Sequence, residues 1–335
     1  MSRLAVLAAA SLGVMGAVPA AGVGQSAPPR LELPVACQPG RDCFVQQYFD
    51  HEPAKGETAF RDYRCGPKAY DGHDGTDIRV PTRAAMLRGV GVRAAAAGTV
   101  KNVRNTVADH RGTAADIARA KGTECGNGVV LSHPGGYETQ YCHMKQGSIV
   151  VQPGQAVAVG ATLGQVGQTG EAAFPHLHFS IRAGADEIDP FAPQSTAGCG
   201  RGGPGLWSPA AAAALAYRSP EVLNAGFTST AAVTAEAVED AGLSLASGTG
   251  PALLAYVRAI GLEKGDRQQL RVTAPGGAAF AESPGPELAR PRAQQLLFTG
   301  KRNSAGRFTP GVYRARYTVT RGGKLVLEHV AEARL

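Results

Sequence analysis

Three short segments carry side chains that could do chemistry together. The first is His73-Asp-Gly-Thr-Asp77, an imidazole and a carboxylate four residues apart. In an extended segment such positions share a face, and Gly72 and Gly75 disfavour a helix there. The second is His176-Leu177-His178, which on a strand presents two imidazoles on one face while Leu177 turns to the core. The third is Tyr141-Cys142-His143. A catalytic zinc takes three protein ligands, usually nitrogen or oxygen, and keeps a fourth position for water. His73, Asp77 and one of the paired histidines supply such a tripod. A dication beside a single carboxylate lowers the pKa of bound water to ~7. The attacking water still needs a base and the oxyanion a donor; His143 and the remaining paired histidine suit both roles near neutral pH. Each segment alone is a weak signal, because a lone strand-end histidine is more often structural. Together the five groups fit one open zinc site.

The elements that must position these groups are strands. From about residue 70 to 191 the chain runs in short Val-, Ile- and Leu-rich stretches punctuated by glycine, which predicts an all-β domain. Gly128 to His133 and Tyr137 to His143 face each other across Pro134-Gly135-Gly136, a hairpin. Between Lys101 and Gly126 lies an insertion with helical Ala/Ile spacing around Ala114 to Ala120. Thr196 to Gly205 reads as a Gly/Pro linker. Beyond it, Tyr313, Ala315, Tyr317 and Val319 alternate with Arg314, Arg316, Thr318 and Thr320, and Gly322-Gly323 turns the chain into Leu325 to Leu327. With Tyr256 to Ile260 and Leu270 to Thr273 this predicts a small, immunoglobulin-like β-sandwich.

The expected organisation is mainly β: a signal peptide over 1–21, a cysteine-tied segment over 22–70, a compact β-sheet domain over 71–195 that carries the five groups, a linker over 196–209 and an accessory sandwich over 210–335. Arg3 followed by the apolar run Leu4 to Val18 and small residues around Ala20 and Ala21 reads as an export signal, too short to anchor the mature chain in a membrane. Six cysteines, Cys37, Cys43, Cys65, Cys125, Cys142 and Cys199, imply disulfides in an exported chain. No Cys-x-x-Cys occurs, which disfavours cysteine-ligated zinc. Cys125 and Cys142 flank the hairpin and are expected to pair; the other four stay unconnected at this level. A formal net charge of +7 suits anionic wall polymers, and export argues against nucleic acid.

These motifs together resemble the lysostaphin/LytM-type zinc endopeptidases of peptidoglycan. The match runs from His73 to Phe191, a little over a third of the chain. It rests on Asp71-Gly-His-Asp-Gly-Thr-Asp77, Ala97-Gly-Thr-Val100, Gly126 to His133, Thr139-Gln-Tyr-Cys-His-Met144, Val151 to Val157, Gly167-Gln-Thr-Gly170, His176-Leu-His-Phe179 and Ile188-Asp-Pro-Phe191. The resemblance implies one zinc per chain held by His73, Asp77 and His178, with His143 and His176 acting on the water and the transition state. It implies peptidoglycan stem peptides and cross-links as substrate, and a groove between loops. Three departures stand out: Met144 where leucine is frequent, Ser180 where glutamate is frequent, and the 101–125 insertion, expected to wall the groove.

The remaining histidines read as structural. His51 and His110 are expected to be solvated, His133 to make a structural hydrogen bond, and Trp207 to pack the linker. Two other activities share the signals: a zinc carboxypeptidase trimming stem peptides, and a non-catalytic LytM-like binding or activator protein. The sandwich, with Arg314 and Arg316 on its polar face, is offered to wall polymer or a protein partner. Because every candidate catalytic residue precedes Phe191, the zinc centre is expected to be self-contained in the first domain.

Overall fold

The alternation of apolar residues is realised as two β assemblies in the computed structural model, which describes Met1 and residues 27–56, 59–195, 198–200 and 203–335. The apolar stretch read as an export signal lies outside the described residues. Among those described, no helix is long and apolar enough to cross a membrane.

The first assembly contains β1 (Phe44–Gln47), β2 (Thr76–Arg79), β3 (Gly91–Arg93), β4 (Gly98–Arg104), β5 (Asn127–Ser132), β6 (Tyr137–Met144), β7 (Ala156–Val157), β8 (Thr162–Gln165), β9 (His176–Ala183) and β10 (Asp186–Ile188). Its main sheet runs β1-β2-β9-β6-β5-β4-β7, with β10 alongside β9, and β3 pairs with β8 separately. Ile78, Leu131, Tyr141, Leu177 and Phe179 are fully buried on one face. The opposite face of β2, β9 and β6 carries the polar residues. Helix α1 (Arg83–Arg88) follows β2, capped by Thr82, and α2 (Ala114–Arg119) opens on a Thr113/Asp116 capping box inside the insertion. The segment before residue 71, which showed no periodicity, contributes β1 to the sheet edge.

Helix α3 (Pro209–Ala214) packs Ala211 into the core of the first assembly, and the second assembly contains β11 (Glu221–Thr228), α4 (Ala235–Glu239), β12 (Ala252–Leu262), β13 (Asp266–Thr273), β14 (Ala279–Glu287), β15 (Arg292–Arg302), β16 (Val312–Arg321) and β17 (Lys324–Arg334). Sheets β11-β12-β15 and β14-β13-β16-β17 enclose one core that includes Leu253, Val257, Leu270, Tyr317 and Val319. The predicted hairpin pairs β16 with β17. Its arginines are neutralised within the sheet: Arg314 donates to Glu332 and Arg316 to Glu328, each at 2.6 Å. That internal pairing weakens the reading of this face as a dock for anionic polymer.

The two assemblies share buried contacts. Phe44 packs with Leu223 and Ile260. Lys68, fully buried, donates to the Arg218 carbonyl at 2.9 Å and pairs with Glu221 at 3.3 Å. Trp207 packs against Phe179 and Phe191, as expected for the linker. The six cysteines pair as Cys37–Cys43, Cys65–Cys199 and Cys125–Cys142. The last is the pair expected from the hairpin, while the first two were not readable from spacing. His51 is a correction: it is buried and hydrogen-bonded to Asp189 at 2.7 Å. His110 is half-buried and bonds the Gly170 carbonyl at 2.8 Å. His133 makes its structural bonds, to the Ala97 carbonyl and the Thr139 hydroxyl.

Closing the loop between Cys125 and Cys142, 17 residues apart, is worth about 3 kcal/mol in the chain-entropy model. Replacing both by serine is expected to lower unfolding stability by about that amount in urea titrations. An unchanged midpoint would show that the bridge constrains nothing.

Candidate metal centre and active site

Register builds the site. β2 and β9 are antiparallel with Asp77 opposite His178 and Arg79 opposite His176, and β6 places Cys142 opposite His178 on the other side. Directly opposed residues project to the same face, so Asp77, His176 and His178 converge while Ile78 and Leu177 go to the core. His73 enters from the turn before β2. Gly75 in that turn has no substitute: a Cβ there would meet His178 Nε2 at 2.6 Å and the Phe179 carbonyl at 2.7 Å.

The three expected ligands lie together. His73 Nε2 is 3.1 Å from Asp77 Oδ1 and 3.2 Å from His178 Nδ1, and His178 Nδ1 is 3.0 Å from Asp77 Oδ1. Tetrahedral ligands at zinc distances of 2.0–2.2 Å stand about 3.3–3.6 Å from one another. The triangle is therefore close to the size that a zinc ion requires, and the N, N, O donor set is one zinc accepts.

Each ligand nitrogen is prepared by what holds the other nitrogen of its ring. His73 Nδ1 donates to the Tyr48 carbonyl at 2.6 Å, which leaves the Nε2 lone pair for a metal. His178 Nε2 faces Asp74 at 3.2 Å, which leaves Nδ1 for a metal. This contact of Asp74 was not anticipated from the sequence, although Asp74 stands beside His73 inside the quoted motif. Burial disfavours the His178 cation, but hydrogen bonds and charge from Asp74 and Asp77 outweigh it and raise its pKa to about 10. Burial likewise opposes ionisation of Asp77, yet the surrounding histidines hold its carboxyl well below the usual range. Glu187 of β10 borders Asp74; burial and that neighbouring carboxylate push it up to about 7.

The two other histidines face the same space. His176 Nδ1 donates to the Phe174 carbonyl at 2.8 Å, and its Nε2 lies 3.5 Å from Asp77. His143 Nδ1 donates to the Thr169 carbonyl at 2.8 Å, and its ring centre is 4.5 Å from that of His176. Burial, then the charges of His176 and His178, hold His143 well below the ordinary imidazole pKa, so it is neutral.

Strand alternation alone would send His143 to the core face with Tyr141. Its backbone has φ +60°, and the β5–β6 register slips between Asn127 and Val129. Such a bulge re-aims a side chain, here into the groove. The left-handed conformation costs a non-glycine residue about 1–2 kcal/mol. The Cys125–Cys142 bridge and the hydrogen bond from His143 N–H to the Cys125 carbonyl, 2.8 Å, hold it.

A groove of about 700 Å³ opens over these groups and is lined also by Tyr70, Gln140, Phe174, Glu171 and Glu187. Ile117 of α2 and Glu124 form one wall, so the insertion does border the groove.

Comparison with known proteins agrees with the motif reading. The family model described as peptidase family M23 matches residues 71–190. Peptidoglycan DD-endopeptidase ShyA of Vibrio cholerae is 41% identical over 56 residues, 17% of this chain and 13% of that protein. DD-carboxypeptidase/endopeptidase Mpg of Neisseria gonorrhoeae is 37% identical over 65 residues, 19% of this chain and 14% of that protein. The chain thus spans about one-seventh of the length of these relatives. Among solved structures, a zinc containing peptidase from Vibrio cholerae is 26% identical, covering 43% of this chain and 39% of that one with a TM-score of 0.27. The catalytic domain of lysostaphin from Staphylococcus simulans is 20% identical, covering 42% and 86% with a TM-score of 0.28. The matched segment contains all five converging groups: residues 71–190 match the model of peptidase family M23.

Proposed function

We propose that this protein is an exported zinc endopeptidase that hydrolyses peptide cross-links of bacterial peptidoglycan. The observation that carries the reading is the convergence of His73, Asp77 and His178 within 4.8 Å of one another, with His143 and His176 beside them on the floor of an open groove. His73 Nε2, Asp77 Oδ1 and His178 Nδ1 would hold the ion. Bound there, zinc supplies a Lewis acid that polarises the scissile carbonyl and makes a water nucleophilic near neutral pH. His143, neutral and with Nε2 free, takes the proton of the attacking water and passes it to the leaving amine. His176, whose Nδ1–H is fixed by the Phe174 carbonyl, donates from Nε2 to the oxyanion in its imidazolium form. The disulfides fit an oxidising compartment, periplasmic or extracellular. The name of the Vibrio cholerae relative, peptidoglycan DD-endopeptidase, supports peptidoglycan as substrate.

The direct test is mass spectrometry of muropeptides after digestion of purified sacculi. Conversion of cross-linked dimers to monomers supports the endopeptidase. Loss of one terminal residue from uncrosslinked stems would instead establish a carboxypeptidase, and unchanged muropeptides a binding protein.

Removing one zinc ligand should remove the metal. His178→Ala is expected to lose both bound zinc and activity, and full zinc occupancy by elemental analysis would defeat the assignment.

His143→Ala and His176→Ala should retain zinc while turnover falls by ~10²–10⁴. Near wild-type rates would make both residues structural.

Asp74→Asn keeps the shape but weakens the acceptor behind His178. Zinc affinity should drop by about 10- to 100-fold in chelator competition. An unchanged affinity would show that Asp74 does not orient the ligand.

A further inference from the structure

We infer that the C-terminal sandwich is a working part of the active site, its α4 corner positioning the two catalytic histidines through buried arginines. The inference rests on the roles proposed for His143 and His176, and it replaces the expectation of a self-contained zinc domain.

One path reaches His176. Arg79 stands two residues after Asp77 on the polar face and is paired in register with His176. Its side chain is fully buried. Nη2 donates to Glu239 of α4 at 2.8 Å, and Nη1 to Gln294 of β15 at 2.8 Å. Among the described residues, Glu239 is the carboxylate that pairs with this guanidinium. The cation lies 4.2 Å over the Phe174 ring. Phe174 packs its own ring 4.7 Å from that of His176 and accepts the His176 Nδ1 proton at its carbonyl. Arg258, also fully buried, shares Glu239 and donates to the Pro81 carbonyl just past β2.

A second path reaches His143 from the next residue. Asp240 accepts from Arg83 Nε at 2.7 Å. Arg83 Nη1 donates to Gln168 Oε1 at 2.8 Å. Gln168 precedes Thr169, whose carbonyl fixes His143. Arg111 of the groove-walling insertion also pairs with Asp240, at 2.6 Å. Two adjacent carboxylates of the sandwich thus stand behind the two histidines, while the metal ligands are held from within the first sheet.

The placement separates positioning from folding. An unpaired Arg79 would pull toward solvent and release Phe174, moving His176 without touching His73, Asp77 or His178. Displacements near 1 Å cost about 10²-fold in rate.

The test is a double-mutant cycle in the full chain, with zinc content and steady-state kinetics on a soluble cross-linked muropeptide. Glu239→Ala is expected to keep one zinc per chain, to lower kcat by about 10- to 100-fold, and to leave KM within about threefold. In a His176→Ala background the same change should lower kcat no further. Asp240→Ala should behave alike against His143→Ala, and at its partly exposed site it carries the test if Glu239→Ala fails to fold. Equal losses of kcat with and without the histidine, a rise in KM alone, or unchanged kinetics would overturn the inference. His176→Ala and His143→Ala proteins at wild-type rate would overturn the catalytic reading itself, and this inference with it.

Discussion

The antiparallel register of β2 on β9 is the constraint on which the site depends. With Asp77 opposite His178, a carboxylate and two imidazoles share one face. A slip by one residue would send them into the core and bring Ile78 and Leu177 to the groove. Both of those side chains are fully buried, and burying each contributes roughly 1.5–3 kcal/mol. The apolar pattern therefore protects the polar constellation: the core that fixes the register is the reverse side of the candidate metal site.

On that face the electrostatics are arranged before any ligand arrives. His73, His143 and His176 each have one ring nitrogen committed to a backbone carbonyl, and His178 has one committed to Asp74. The remaining nitrogens point into one space around Asp77. Fixed tautomers and ring planes reduce what must reorganise during reaction. The cost appears in local strain at His143, held in the left-handed region by a disulfide and a bulge.

How much of this the sequence disclosed follows from the range of each interaction. His176 with His178 was legible from the two-residue period of a strand, and His73 with Asp77 from their short spacing, although His73 stands on the turn before β2. The hairpin bearing His143 was legible from Pro134-Gly135-Gly136, but the direction of the His143 ring was not, since alternation points it the other way. Cys37–Cys43 and Cys65–Cys199 depend on how the N-terminal segment folds back, which local pattern does not encode. His51 looked solvated because its partner, Asp189, lies 138 residues away. Asp74 stood in plain view within the motif; its role emerged only when the turn brought it to the far side of the His178 ring.

The same reasoning explains why the contribution of the sandwich was hidden. Glu239 ends and Asp240 caps a short helix of ordinary composition, and nothing in their neighbours marks them as partners of Arg79 and Arg83. The linker composition suggested independence, whereas buried ion pairs join the two parts. The prepared N, N, O triangle can be probed by a crystal structure of the zinc-loaded protein with data collected across the zinc absorption edge. The account predicts one anomalous peak about 2.0–2.2 Å from His73 Nε2, an Asp77 carboxylate oxygen and His178 Nδ1. A peak on His178 Nε2, on His176 or away from this face would contradict it.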